Sequence, residues 1–196
     1  DFYPIAQESR NCIAILHQGM QTEILEPGPE VSVREQQNFL THFGRLVEQA
    51  STVTLSGSLP VGMAKDFYRQ LIQRANAKGK KVLLDCSGEC LNSVINSDDV
   101  PWLIKPNKQE IEQLTGKELD CKTIDSFIAL VEGHRGLQRI PWLIVSLGQS
   151  GAFARINERY YTATIPKINA VNPVGSGDAT IAGLALAIKE NKPADY

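Results

Sequence analysis

The chain has no surplus of either charge. Twenty Lys and Arg stand against 22 Asp and Glu in 196 residues. That balance gives a nucleic acid or an anionic membrane surface no purchase, so neither is expected as a partner. No apolar run is long enough to cross a bilayer, and no signal-peptide pattern opens the sequence. Cysteine is sparse. Cys86 and Cys90 are spaced to lie a helical turn apart, but no second pair and no well-placed histidine completes a zinc site. With Cys12 and Cys121 they read as reduced thiols of a cytoplasmic protein. His17, His42 and His134 are scattered, and surface or packing roles suit them better than catalysis. Two phosphate fingerprints are missing as well. No Lys-Ser or Lys-Thr follows the Gly175-Ser176-Gly177 turn, as a Walker A loop requires. No third glycine sits at the dinucleotide offset, which disfavours a Rossmann-type oxidoreductase.

What is present is an ordinary globular composition, 42% hydrophobic, with length for one good-sized domain. The sequence begins in mid-pattern at Asp1, which suggests a segment of a longer chain. Residues 11–17 and 22–25 flank Gly19 and read as a β-hairpin. Pro27-Gly28-Pro29 stops it. Ser32 then caps a helix with Glu35 three residues on, and Phe39, Leu40, Phe43, Leu46, Val47 and Ala50 form its apolar stripe. Strands are expected at 52–56, 81–85, 102–105 and 142–146, and a second hairpin at 152–155 and 160–164. Helices are expected at 63–77, 88–96, 107–116, 123–134 and from Gly177 onward. Strands alternating with helices predict an α/β fold with a mostly parallel sheet covered on both faces. The first hairpin lies outside the alternation and reads as a lid.

The stretch Asn172-Pro-Val-Gly-Ser-Gly-Asp178, running into an apolar helix, carries the most chemistry. A helix start leaves backbone N–H groups unpartnered at the positive end of the helix dipole, and glycines let an anion approach them. Gly175, Ser176 and Gly177 thus make a phosphate cradle. Asp178 conflicts with a bound phosphate unless it takes a proton from a hydroxyl while the amides hold a transferring phosphoryl group. The plain alternative is an N-cap aspartate.

In open α/β sheets ligands bind beyond the carboxyl ends of the strands. Ser56-Gly57-Ser58-Leu59-Pro60 follows the first of them and suits a polyol, or is simply a turn. Asn107 and Glu110 follow the third and share a helix face, where an amide and a carboxylate hold hydrated Mg²⁺. Their commoner use is a capping box. Ser146-Leu-Gly148-Gln-Ser-Gly151 follows the fourth, and its glycines admit a flat ligand or merely turn the chain.

With these motifs in order, the sequence resembles the PfkB carbohydrate kinase family, of ribokinase-like fold. Asn172–Gly183 resembles the family's second signature, with its Gly-(Ala/Ser)-Gly-Asp core. Lys105-Pro-Asn-x-x-Glu110 resembles the Asn-x-x-Glu segment used with Mg²⁺ and nucleotide phosphates, and Ser146–Gly151 resembles the nucleotide-side turn. Glu8–Ile13 and Leu55–Pro60 are similar to the hexose-phosphate branch, although Ser9 stands where Thr is expected. Cys12–His17, Thr22–Leu25 and Leu84–Gly88 tilt the implied substrate to tagatose 6-phosphate over fructose phosphates. The resemblance implies a three-layer α/β/α core over 30–196 and part of a β lid over 1–29. It also implies that the family's N-terminal sugar-site region and its final adenine-side segment are not in this chain.

Residue by residue, the resemblance implies Asp178 as the base and Gly175, Ser176 and Gly177 as amide donors to the phosphoryl group. It assigns Arg10 to the sugar's existing phosphate, and Asn11 and Ser58 to sugar oxygens. It assigns Lys105, Asn107 and Glu110 to nucleotide phosphates and, through water, Mg²⁺, and Ser146 and Gly148 to the nucleoside. The implied reaction is ATP-dependent phosphorylation of a ketohexose phosphate, giving tagatose 1,6-bisphosphate from tagatose 6-phosphate. A kinase for an unphosphorylated sugar has no use for Arg10, and a non-catalytic phosphate sensor is better served without Asp178. The apolar residues of the lid suit either closure over substrate or contact with a second copy of the chain.

Overall fold

The run Val82-Leu83-Leu84 shows how the sheet is built. Val82 and Leu84 join the core on one face and Leu83 joins the core on the other, all with almost no exposure. Burial on both faces marks a strand inside a parallel sheet. The structure, a computed structural model, describes residues 2–17, 20–166 and 174–193. Gly19, Asn172 and Pro173, which figure in the motifs above, lie outside the described residues.

The strands are β1 (Cys12–His17), β2 (Met20–Leu25), β3 (Thr52–Ser56), β4 (Lys81–Asp85), β5 (Leu103–Ile104), β6 (Trp142–Ser146), β7 (Ala152–Ile156) and β8 (Arg159–Ala163). The helices are α1 (Val33–Gln49), α2 (Phe67–Asn76), α3 (Gly88–Ile95), α4 (Lys108–Thr115), α5 (Ile124–Glu132), α6 (Arg135–Gln138) and α7 (Ser176–Lys189). One six-stranded sheet runs β3-β4-β5-β6-β7-β8. β3 to β6 pair in parallel, and β7 and β8 are added antiparallel as the expected second hairpin. The fold is the expected ribokinase-like α/β arrangement.

The two faces are covered unequally. Side chains of α1 to α6 pack with Val53, Leu55, Val82, Leu84, Ile104, Leu143 and Val145 on one face. On the other, among the described residues, α7 alone lays Ile181 and Ile188 on Leu83, Leu103 and Ile144. Each fully buried Leu or Ile adds roughly 1.5–3 kcal/mol. Among the described residues the larger core therefore anchors the sheet.

Several element boundaries differ from expectation. The helix expected at 63–77 begins only at Phe67. Val61 is tied by a bridge to Glu30 and takes the Val31 N–H, so the chain cannot coil there. The strand expected at 102–105 is reduced to Leu103–Ile104, because Pro106 brings no N–H to extend the ladder. The helix expected at 123–134 stops at Glu132, and α6 follows as a separate turn capped by His134. Leu46, placed in the apolar stripe of α1, is exposed.

β1 and β2 form their own two-stranded sheet, pairing Ile13 with Ile24 and Ile15 with Thr22. Every β1 residue is exposed. A lone hairpin is marginally stable in water. Its base is tied instead by Asn11, whose N–H and Nδ2 both donate to Glu26 Oε2 at 2.8 and 2.9 Å. Among the described residues no helix is long and apolar enough to cross a membrane.

Candidate active site

The carboxyl ends of β3, β4, β5 and β6 stand side by side and carry Ser56, Asp85, Lys105 and Ser146 in that order. The start of α7 packs over β3 and β4. The sheet order therefore sorts the residues singled out from the sequence into two groups with α7 near the middle.

On the β3 side, Arg10 Nη2 donates to Ser58 Oγ at 3.1 Å. This contact spans 48 positions and brings the guanidinium from the foot of the hairpin to the β3 turn. Ser56 Oγ donates to Asp178 Oδ1 at 3.4 Å. Arg10, Ser58 and Asp178 thus meet around one turn. Tyr68 holds that turn from below, its hydroxyl lying 3.1 Å from Ser56 O and 2.9 Å from Gly57 O. Burial pushes the Tyr68 phenol up to about 12, so it remains a neutral donor. A cavity of about 370 Å³ opens beside this turn toward α1 and α2, lined by Ser56, Ser58, Leu59, Phe39 and Tyr68 but not by Arg10 or Asp178. Asn11 is not brought to this turn by any bond. Its amide closes the hairpin base on Glu26.

On the β6 side, Asn107 forms a bridge to Ser146, and Ser146 N donates to Pro106 O at 3.1 Å. Gly148 follows with φ +59 and opens the 3₁₀ turn Gly148–Ser150. Gly151 closes it, and there the plain reading of the glycine holds. A Cβ would lie 2.0 Å from Ala163 O, so the position excludes any side chain. Asn107 and Glu110 form the complete capping box of α4. Asn107 Oδ1 takes the Glu110 N–H at 2.9 Å and Glu110 Oε2 takes the Asn107 N–H at 2.8 Å. The box uses one oxygen of Glu110.

Between the two groups, Lys105 Nζ lies 3.0 Å from Asp85 Oδ2 with both side chains largely buried. Lys105 is thus held by a neighbour the motif reading did not name, rather than extended into solvent. Gly175 is the N-cap of α7 with φ +79, a left-handed conformation that favours glycine, and makes no side-chain cap. Gly177 adjoins the ion pair, and Ser176 and Asp178 are exposed.

Asp85 and Tyr68 are the residues of this site to which sequence reasoning gave no role, whereas Ser56 stood in the segment read as suiting a polyol. Asp85 had a signal, since an apolar strand running straight into a carboxylate at its carboxyl end is costly without a partner. Tyr68 had none, because it reads as one more apolar position of α2. Cys86 is no nucleophile, since burial, aided by Cys90 nearby, pushes its thiol up to about 12. Among the described residues no cluster of His, Cys, Asp and Glu could hold a metal ion by itself.

Known structures share this fold. Phosphofructokinase-2 of Escherichia coli, solved with fructose-6-phosphate, superposes with a TM-score of 0.74 at 26% identity, over 89% of this chain and 56% of that one. The same enzyme in its tetrameric inhibited form gives 0.75 at 26% identity, again over 89% and 56%. A protein of Thermotoga maritima described as a possible 1-phosphofructokinase gives 0.85 at 22% identity, over 99% of this chain and 61% of that one, a likeness of fold. The chain thus spans well under two thirds of the length of these relatives. The model of the pfkB family of carbohydrate kinases matches residues 1–196. The match covers the whole sequence, and the chain belongs to the pfkB family of carbohydrate kinases.

Proposed function

We propose that the full-length protein transfers the γ-phosphoryl group of ATP to a hydroxyl of a ketohexose phosphate. The observation that carries this is the meeting of Arg10, Ser58 and Asp178 at the β3 turn beside an uncapped, glycine-started helix. Arg10 offers a guanidinium fork to the phosphate the sugar already bears. Ser58 meets a sugar oxygen, whereas Asn11 is held to Glu26 at the hairpin base. Asp178 accepts the proton of the attacking hydroxyl as the new P–O bond forms and the bond to ADP breaks. The amides of Gly175, Ser176 and Gly177 hold the charge on the moving phosphoryl group. Lys105 lies on the nucleotide side, and Ser146 and Gly148 flank the nucleoside.

Asn107 and Glu110 suit Mg²⁺, since they offer hard oxygen donors and the capping box commits only one Glu110 oxygen. Bound there through water, the ion neutralises charge on the nucleotide phosphates.

Among ketohexose phosphates, the motifs at Cys12–His17, Thr22–Leu25 and Leu84–Gly88 put tagatose 6-phosphate first. The fructose-6-phosphate bound by the E. coli relative supports a fructose phosphate as the second candidate. Residues 1–29 serve as part of the lid. Ile13, Ile15, Met20 and Ile24 share one exposed face of it, which suits a second copy of this chain in a cytoplasmic homodimer. The test is a substrate panel with the full-length protein, reading ADP release. Release with tagatose 6-phosphate well above that with fructose phosphates supports the finer assignment. Release only with unphosphorylated sugars overturns the role of Arg10, and no release with any sugar overturns the kinase reading.

A further inference from the structure

Asp85 has no role in the function just proposed, yet three parts of the site converge on it. Its main-chain oxygen accepts the Gly57 N–H at 3.0 Å, which ties the β3 turn to β4. Its carboxylate lies 3.0 Å from Lys105 Nζ, with the two side chains only 19% and 7% exposed. Both groups border the start of α7. A Cβ built on Gly177 would lie 3.5 Å from Lys105 Nζ and 3.8 Å from Asp85 Oδ2. A lysine has four side-chain torsions and wanders unless something fixes it. Here the ammonium is fixed by a buried carboxylate and aimed at the first turn of a helix whose cap position is glycine. The main chain assists, since Lys105 N donates to Leu84 O, the residue before Asp85.

The geometry points to Asp85 as the positioning residue for Lys105. It holds the ammonium beside Gly177, so that cation and helix amides act on the same phosphoryl group as it moves. In this arrangement Asp85 Oδ2 binds the lysine ammonium. The inference rests on the phosphoryl-transfer function above, and wild-type activity is its first control. A pre-placed cation costs no reorganisation when charge develops, which is where electrostatic catalysis gains most.

The test uses the full-length protein and the variants Asp85→Asn, Asp85→Glu, Lys105→Met and Asp85→Asn/Lys105→Met. Asp85→Asn is expected to lower kcat about 10- to 100-fold while the KM for the sugar phosphate changes less than about twofold. Calorimetry supplies a readout apart from turnover. Affinity for ADP with aluminium fluoride and sugar phosphate, a mimic of the planar phosphoryl group, falls by a similar factor, and affinity for ADP alone does not. In the Lys105→Met background Asp85→Asn adds no further loss, because the residue it positions is gone. Asp85→Glu guards against a misfolded Asp85→Asn. It keeps the charge, moves the ammonium by one methylene, and also lowers kcat with KM unchanged. Additive losses, or a half-saturating Mg²⁺ concentration that rises by more than kcat falls, overturn the positioning role. An active wild type with unaffected Asp85 variants overturns this inference alone, whereas an inactive wild type overturns the kinase function and this inference with it.

Discussion

Helices α4 and α7 begin at the same edge of the sheet, and each carries an acid three residues past its N-cap. In α4 the cap is Asn107 and the acid is Glu110. In α7 the cap is Gly175 and the acid is Asp178. Their fates differ. Asn107 and Glu110 exchange hydrogen bonds and close the helix end. Gly175 has no side chain to offer, so the N–H groups of the first turn keep no side-chain partner from the cap. Asp178 turns instead to Ser56 on another strand. The cap residue thus decides whether an acid at this position finishes its own helix or turns to a neighbouring strand. A closed start is a stability device, and an open one leaves amides that an anion can reach.

The most direct way to break the comparison is Asp178→Asn. The amide keeps the size but accepts no proton, and no cap is lost because Gly175 is the N-cap. The expected result is a loss of roughly 10²–10⁴-fold in kcat with little change in Tm or substrate affinity. Near-wild-type turnover with ATP and a ketohexose phosphate would make Asp178 a helix-end residue like any other.

Gly175→Asn tests the other half of the open start. No atom lies within 4 Å of a Cβ at this position, and asparagine tolerates the left-handed conformation better than most residues. The new side-chain oxygen competes for the N–H groups meant for the phosphoryl group. Loss of one such donor is typically worth about 10²-fold in kcat. Steady-state kinetics beside a thermal melt separates this from unfolding. A variant with full activity would show that those amides hold no substrate charge.

Glu110→Gln sharpens the closed start. Glutamine also serves a capping box, so the melting temperature should hold. The carboxylate is lost, however, and the Mg²⁺ concentration for half-maximal rate should rise about tenfold or more. A titration of rate against Mg²⁺ decides. An unchanged requirement would leave the pair as a cap alone.

This comparison also marks what the sequence could tell. Both motifs at the helix starts were legible, because capping boxes and glycine turns are local patterns. So was the parallel core, since runs such as Val82-Leu83-Leu84 and Leu143-Ile144-Val145 can only be buried on both faces. The choice between the structural and chemical uses of Asn107 and Glu110 was not legible, as one pattern serves both. Long-range partners were hidden as well. Nothing local to Arg10 says that it reaches Ser58, and nothing near Asp85 says that Lys105 lies across from it. The resemblance placed Lys105 toward nucleotide phosphates, and the sequence shows its charge but not the Asp85 carboxylate beside it. Helix α6 was missed because four residues give no periodicity.

The smallest expected effect comes from a third helix start, which fixes the scale for the other two. Ser32 and Glu35 close α1 with the same reciprocal box as α4, and Glu35 Oε1 also takes the Ala6 N–H at 2.7 Å. Hydrogen bonds from the Ser32 side chain, then from the Ala6 and Ser32 main chain, hold the Glu35 carboxyl below its usual range. Ser32→Ala should lower Tm by about 2–4 °C, the size of a lost cap in a chain of this length, and leave kcat and KM unchanged. The pH dependence follows from the sign of the shift. A carboxyl held low in the fold contributes stability that is present above the ordinary value of 4.5 and is lost as pH falls through the folded value. The gap in Tm between wild type and Ser32→Ala should therefore be widest near neutral pH and should narrow below about pH 4.5. A gap that stays constant into acid would show that the Ser32 hydroxyl serves the Glu35 N–H alone and not the carboxylate.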